Sequence, residues 1–264
     1  MSSITKYNGT SAYNLKPLGI DTREMNGVYT PNQIPLNNVE LYYDPANPDC
    51  YAGTGTTLID IGGNNNGVIG GGMESSYQQP GIFNSDGVND NITASNTTNI
   101  GYTTNGMGIW GWFRWDGTNA TQGISNVYFN NGGSPIDRYG LRLYQFNNNF
   151  TMATLIVTAH YLNVNAYVST NVWTFFFNQV DYVSGTTFRM NKWMGSSTLT
   201  KVYENNSFTS SLPSTSSQAI TYNIGVDANS FNGDLGECGF YNNTYLTDQE
   251  ITRIYNNTKK RYGY

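Results

Sequence analysis

The sequence predicts an all-β protein: two antiparallel sheets packed as a sandwich, with one short C-terminal helix and an extended N-terminal arm. Three observations carry that expectation. Strand-like runs recur at short, near-even spacing between Gly- and Asn-rich turns, rather than alternating with helical patterns. Of 264 residues, 29 are Gly and 21 are Tyr, and aromatics reach 14% while charged residues make up only 12%. That mixture suits many strands joined by tight turns, whereas a disordered chain carries fewer aromatics and more charge. The length also fits one large sandwich plus an appendage without a second globular domain.

Residues 1–38 read as the arm. Pro17, Pro31 and Pro35 punctuate it, and no sustained period of two or of 3.6 runs between them. Its apolar anchors are Leu15, Leu18, Ile20, Val28, Tyr29 and Ile34. Such a segment buries too little surface alone to offset its ordering entropy, so it is expected to order on a neighbouring subunit. An ordinary frayed terminus is the alternative.

Residues 39–264 read as the sandwich with its helix. Val39 to Tyr43 alternates and stops at Asp44-Pro45, a strand followed by a turn. Ile109 to Trp115 is bulky on both faces, which predicts a strand buried between layers, with Gly111 leaving a gap for another side chain. Further strands are expected at 139–146, 151–158, 162–168, 173–182, 187–193, 198–204, 220–226 and 234–241. The helix is expected over residues 248–261. Thr247 and Glu250 make a capping box, Asp248 and Glu250 suit the positive end of the dipole, and Lys259, Lys260 and Arg261 suit the other. Ile251, Ile254 and Tyr255 form its apolar face, and Gly263 fits the stop.

Composition excludes several functions. The net charge is −5, and the basic residues are scattered apart from Lys259 to Arg261, which argues against a nucleic-acid groove. No stretch is long and apolar enough for membrane insertion, and MSSITKYNGT lacks the pattern of a secretory signal, so synthesis in a cytoplasm is expected. Cys50 and Cys238 are too few and too far apart for a zinc framework; they read as free thiols, with a disulfide between first and last strands as the alternative.

The chain is expected not to be an enzyme. Its one histidine, His160, sits in a strand-like run with no nucleophile elbow anywhere in the sequence. Glycoside hydrolysis needs two carboxylates on one face, which a strand supplies at alternate positions. No Glu-x-Asp or Glu-x-Asp-x-Glu run exists, and regular alternation would send Asp234 and Glu237 to opposite faces. Gly70 to Gly72 lacks the Lys-Ser/Thr and helix of a phosphate loop.

Two stretches carry a resemblance: VELYYDPANPDCYAGTGTTLIDIGGNNNGVI at 39–69 and FNGDLGECGFYNNTYLTDQEITRIYNNTKKRYG at 231–263. They resemble the opening and closing segments of concanavalin A-like, laminin G-like jelly-roll domains in tailed-phage virion structural proteins. Ser85 to Ile92 is similar to the Phe-Asp-Gly-x-Asp-Asp-Tyr-Val signature of that family, and Trp110 to Trp115 to its aromatic strand. Ser85, Asn89 and Asn91 replace the signature's Phe, first paired Asp and Tyr, and Leu58 replaces an early Trp.

The resemblance implies a jelly-roll topology and a virion protein displayed on a phage particle as a capsid decoration, neck or collar protein, or fibre component. Attachment would run through the arm to other virion proteins or within a homo-oligomer, with host-surface glycans as a further contact. It also implies calcium near the paired-acid segment, where Asp86, Asn89 and Asp90 would supply oxygens; a plain turn is the alternative. A carbohydrate-binding module without a virion role is the rival function. A shallow exposed aromatic beside Asp or Asn would mark it, although most large aromatics here lie in strand runs that suit a core.

Overall fold

The structure is a computed structural model. It describes residues 6–7, 10–11, 34, 39–63, 65–76, 81–96, 106–118, 122–130, 138–146, 149–156, 160–161, 164–166, 168–209, 220–224 and 231–264. Leu15, Leu18, Ile20, Val28 and Tyr29 lie outside these residues, whereas Ile34 is buried, at 4% exposure. Residues 38–245 form one compact unit; the other comprises residues 246–264 and the N-terminal segment up to residue 37.

The unit of residues 38–245 consists of two antiparallel sheets. Among the described residues one has nine strands. Its spatial order is β13 (His160–Tyr161), β12 (Asn149–Ile156), β11 (Arg138–Phe146), β10 (Gln122–Asn130), β18 (Ile220–Ile224), β8 (Asn91–Asn96), β5 (Gly67–Gly70) and β4 (Thr57–Leu58), with β14 (Val164–Ala166) also on β12. The other has eight: β17 (Leu199–Thr209), β16 (Thr187–Gly195), β15 (Trp173–Ser184), β9 (Met107–Trp115), β19 (Asn232–Tyr241), β7 (Ile82–Asp86) and β6 (Glu74–Ser76), with β3 (Val39–Tyr43) beside β19.

The sequence period explains the layering. Along β9 and β15, Ile109, Phe113, Trp115, Phe176 and Val180 enter the core between the sheets, joined by Phe150 and Met152 from β12. Phe113 stacks on Phe150 across that gap, with ring centroids 5.1 Å apart. The alternate residues Trp110, Trp112, Phe175 and Phe177 point to the opposite face and are buried there too. The strand is thus buried on both faces, as its bulk predicts. At Gly111 an added Cβ would lie 2.9 Å from Cys238 Cβ and 3.2 Å from a Phe176 ring carbon, so these two side chains fill the gap.

The interior also holds polar groups. Lys192, on β16, is fully buried and donates from Nζ to the Met152 carbonyl on the opposite sheet at 2.6 Å. Desolvation lowers its pKa to about 7. Cys50 and Cys238 are free and buried, and burial pushes both thiols up. The disulfide alternative is therefore not what the fold adopts.

In the other unit, β1 (Lys6–Tyr7) pairs antiparallel with β2 (Thr10–Ser11). Helix α1 spans Asp248–Thr258 and continues as a tighter 3₁₀ turn over Lys259–Tyr262, so the α-helix ends before the basic residues rather than at Arg261. The capping box forms in full: Thr247 Oγ1 accepts from the Glu250 N–H, and the Glu250 carboxylate accepts from the Thr247 N–H at 2.8 Å. Ile251, Ile254 and Tyr255 are buried, and Gly263 takes the left-handed φ of 91° that ends the segment.

Candidate functional site

At one end of the eight-stranded sheet, β7 and β9 finish where β19 and β15 begin. Asn232 pairs with Asp86, Gly233 with Trp115, and Trp173 with Arg114. The loops leaving these strands therefore meet. The Asp116 N–H donates to the Asn232 carbonyl at 3.4 Å and the Asn171 N–H to the Trp115 carbonyl at 2.7 Å. Asn232 Nδ2 donates to Thr118 Oγ1 at 3.0 Å, and Thr118 Oγ1 donates to Asp116 Oδ2 at 2.9 Å. Gly87, at a φ of 80°, lets the 86–90 turn lie against Asn232, where a Cβ would sit 2.8 Å from Asn232 Cβ. Asp86, Asn89, Asp116, Thr118, Thr170 and Asn171 are all exposed around this point.

Beside the loops runs a row of side chains across the outer face of the sheet. Arg114 Nε donates to Asp234 Oδ2 at 2.6 Å, and Asn84 Nδ2 donates to Asp234 Oδ1 at 2.9 Å. The Arg114 guanidinium lies 5.4 Å from the Trp173 ring centroid with its side chain 40% exposed. The row fixes donors in place while leaving part of the guanidinium in solvent.

The three residues expected to hold calcium fall within this loop cluster, but not as equals. Asp90 is buried at 3% exposure, whereas Asp86 and Asn89 are exposed. Asp90 Oδ2 accepts from the Asp86 N–H at 2.9 Å, and Asp86 Oδ1 accepts from the Val88 N–H at 2.8 Å. Asp90 Oδ1 is buried with no hydrogen-bond partner. Burial raises the Asp90 pKa, opposed by the Asp86 N–H and reinforced by the charges of Asp86 and Glu74. An orphaned carboxylate oxygen fits a hard cation, but among the described residues no group of three or more His, Cys, Asp or Glu forms a metal cage. Two carboxylates and an amide leave several of the six to eight oxygens that calcium takes to come from elsewhere.

The acid pair departs from the expected geometry. Leu235 and Cys238 both enter the core, because a β-bulge falls between them as β19 changes neighbour from β7 to β3. The extra residue puts Asp234 and Glu237 on the same outer face, not on opposite faces. They still form no accessible pair. Asp234 is tied to Arg114 and Asn84, and Glu237 is fully buried and accepts from Tyr42 Oη at 2.8 Å. His160 lies on β13, and its side chain is outside the described residues.

The resemblance to the family signature pointed to the 86–90 turn, but sequence reasoning missed Asn232, Thr118, Arg114 and Trp173 as its companions. The only local signal was a lone cation inside the aromatic run of β9. The pairing that brings Asn232 to Asp86 is long-range and has no local signature.

No family model matches the sequence, and no curated protein matches it. Solved structures do. A botulinum neurotoxin DC binding domain in complex with "SialylT" superposes with a TM-score of 0.56 at 15% identity, covering 84% of this chain and 52% of that one. A structure described as a receptor binding domain gives 0.58 at 15% identity, covering 86% and 52%. A neurotoxin DC binding domain in complex with rat synaptotagmin II gives 0.54 at 12% identity, covering 84% and 52%. This chain spans about half the length of these neighbours. At such identities the likeness concerns the fold: a β-sandwich of a kind found in binding domains.

Proposed function

We propose that the chain is a non-catalytic glycan-recognition module on a jelly-roll scaffold, binding through the loop end of its eight-stranded sheet. The observation that carries this reading is the convergence of exposed Asp86, Asn89, Asp116, Thr118 and Asn171 around the Asn232–Thr118–Asp116 hydrogen-bond chain. Hydroxyl-rich ligands need donors and acceptors held in fixed positions, and side chains already bonded to one another lose little freedom on binding. The binding-domain neighbours agree with such a role. They give no support to the phage affiliation.

A glycan array and calorimetric titration test the proposal. Asn232→Ala and Thr118→Ala are expected to weaken binding of a glycan held at this loop end by about tenfold each, the scale of a lost cooperative hydrogen bond. Glycans captured equally by both variants would move the site elsewhere. Purified protein is expected not to hydrolyse β-glucans, agar, carrageenan or alginate; turnover abolished by Asp234→Asn or Glu237→Gln would overturn the non-catalytic reading.

Calcium belongs to the same proposal as a stabiliser of the 86–90 turn, held by Asp86 and Asp90 with Asn89 beside them. Its positive charge would offset the repulsion between the two carboxylates. Adding calcium is expected to raise Tm, with reversal by chelator and loss of the shift in Asp90→Asn. An unchanged Tm at millimolar calcium would leave a plain turn. Display on a virion through residues 1–38 is a separate proposal: deleting them should leave the sandwich folded and stop particle incorporation.

A further inference from the structure

The opposite end of the same sheet carries a second arrangement that the loop site does not use. Asp181 on β15 and Arg189 on β16 face each other as a direct cross-strand pair. Arg189 Nε donates to Asp181 Oδ2 at 2.9 Å, and Nη2 reaches the same oxygen at 2.8 Å. Both contacts fall on one oxygen, so Oδ1 stays outside the pair. The Asp181 side chain is 10% exposed and that of Arg189 is 43% exposed. The aspartate is thus a buried anchor and the guanidinium a held but solvent-facing donor. The guanidinium carbon lies 4.2 Å from the centroid of the half-buried Tyr245 ring. The Thr244 N–H donates to the Gly106 carbonyl at 2.7 Å, fixing the segment that presents the tyrosine. Two residues before it, Asn243 holds a left-handed φ of 56°, and the buried Asn242 Oδ1 lacks a hydrogen-bond partner.

We infer that Asp181, Arg189 and Tyr245 form a second saccharide subsite, selective for a neutral pyranose with a vicinal diol. Its ligand class rests on the glycan-binding reading; its location does not. The chemistry follows from the free groups. One hydroxyl donates to Asp181 Oδ1 while its neighbour accepts from the unused guanidinium edge of Arg189. Tyr245 supplies an apolar border for the sugar's C–H surface. The aspartate cancels the arginine's charge and offers an open acceptor, so a carboxylated or sulfated sugar meets repulsion where a hydroxyl meets a partner. The guanidinium is clamped on an edge and a face before any ligand arrives, which lowers the ordering cost of binding.

Saturation-transfer NMR and calorimetry with methyl α-mannoside, methyl β-galactoside, methyl α-glucoside and sialyllactose test the inference on the full chain. A neutral glycoside is expected to bind, with affinity falling about tenfold or more in Arg189→Ala and in Tyr245→Leu. Tyr245→Phe, which keeps the ring, is expected to retain that binding. Should Arg189→Ala fail to fold, Tyr245→Leu, which keeps the ion pair, carries the test. Binding that survives Arg189→Ala and Tyr245→Leu but falls with the loop variants Asn232→Ala and Thr118→Ala overturns this subsite and leaves the general reading standing. Preference for sialyllactose overturns the neutral-diol assignment. No binding of any glycoside overturns the subsite, and an empty glycan array in addition overturns the glycan reading as well.

Discussion

At the scale of the single residue, the buried Lys192 couples folding to pH. In the unfolded chain its ammonium titrates in the ordinary lysine range near ~10.4, whereas in the folded core burial lowers that to about 7. Above both values each state is neutral and the folded chain keeps its full stability. As pH falls through the interval, the unfolded chain takes up a proton that the folded chain does not, and stability drops. Below the folded value both states are charged and the loss is complete. The slope between the two is about 1.4 kcal/mol per pH unit. Lys192→Met keeps the length of the side chain and removes the charge, so denaturant titrations at two pH values within the interval are expected to show this slope vanish. An unchanged slope in the variant would assign it to other groups. The lysine's own code gave no hint of this burial: on β16 it alternates with Met190 and Met194, and only that apolar company points inward.

At the scale of elements, local chemistry was the part readable in advance. The capping box at Thr247 formed because its donors and acceptors lie within one turn. Thr247→Ala is expected to cost about 1 kcal/mol, visible as a lower midpoint in thermal unfolding followed by far-UV circular dichroism. A variant with an unchanged midpoint would mean that α1 contributes nothing to the cooperative transition. The β9 and β15 strands were equally legible, since their long aromatic runs allow no exposed face. Of the strand expected at 162–168, the described Val164–Ala166 form β14, which pairs with β12 in the same register as β13. Short polar strands such as β4 to β8 escaped, because Asn, Gly and Thr occupy strands and turns alike and their registry is set by partners distant in the chain. Neither candidate sugar site was legible as a site. Arg114 and Asp234, like Arg189 and Tyr245, meet only after the sheet has assembled.

For the whole molecule, the eight-stranded sheet is the organising body. One face builds the core with the nine-stranded sheet, the other is lined by buried aromatics, and its two ends carry the two polar sites. The bulge in β19 is where this plan departs from regular alternation, and it bears on which changes in chain length the fold accepts. Gly236 and Glu237 lie between Leu235 and Cys238 where β9 has a single residue, Trp112. Removing Gly236 would leave Leu235 inward, Glu237 outward and Cys238 inward, the ordinary order of a strand. Deleting Phe176 from β15 would instead exchange the faces of everything on one side of the cut. The ΔGly236 protein is therefore expected to fold with a native-like near-UV spectrum and ΔPhe176 to aggregate; equal loss in both would show that the bulge is required in its own right. In descent, a family sharing this sheet would be free to gain or lose a residue at Gly236, so alignments should place a gap inside a central strand, where gaps are otherwise rare.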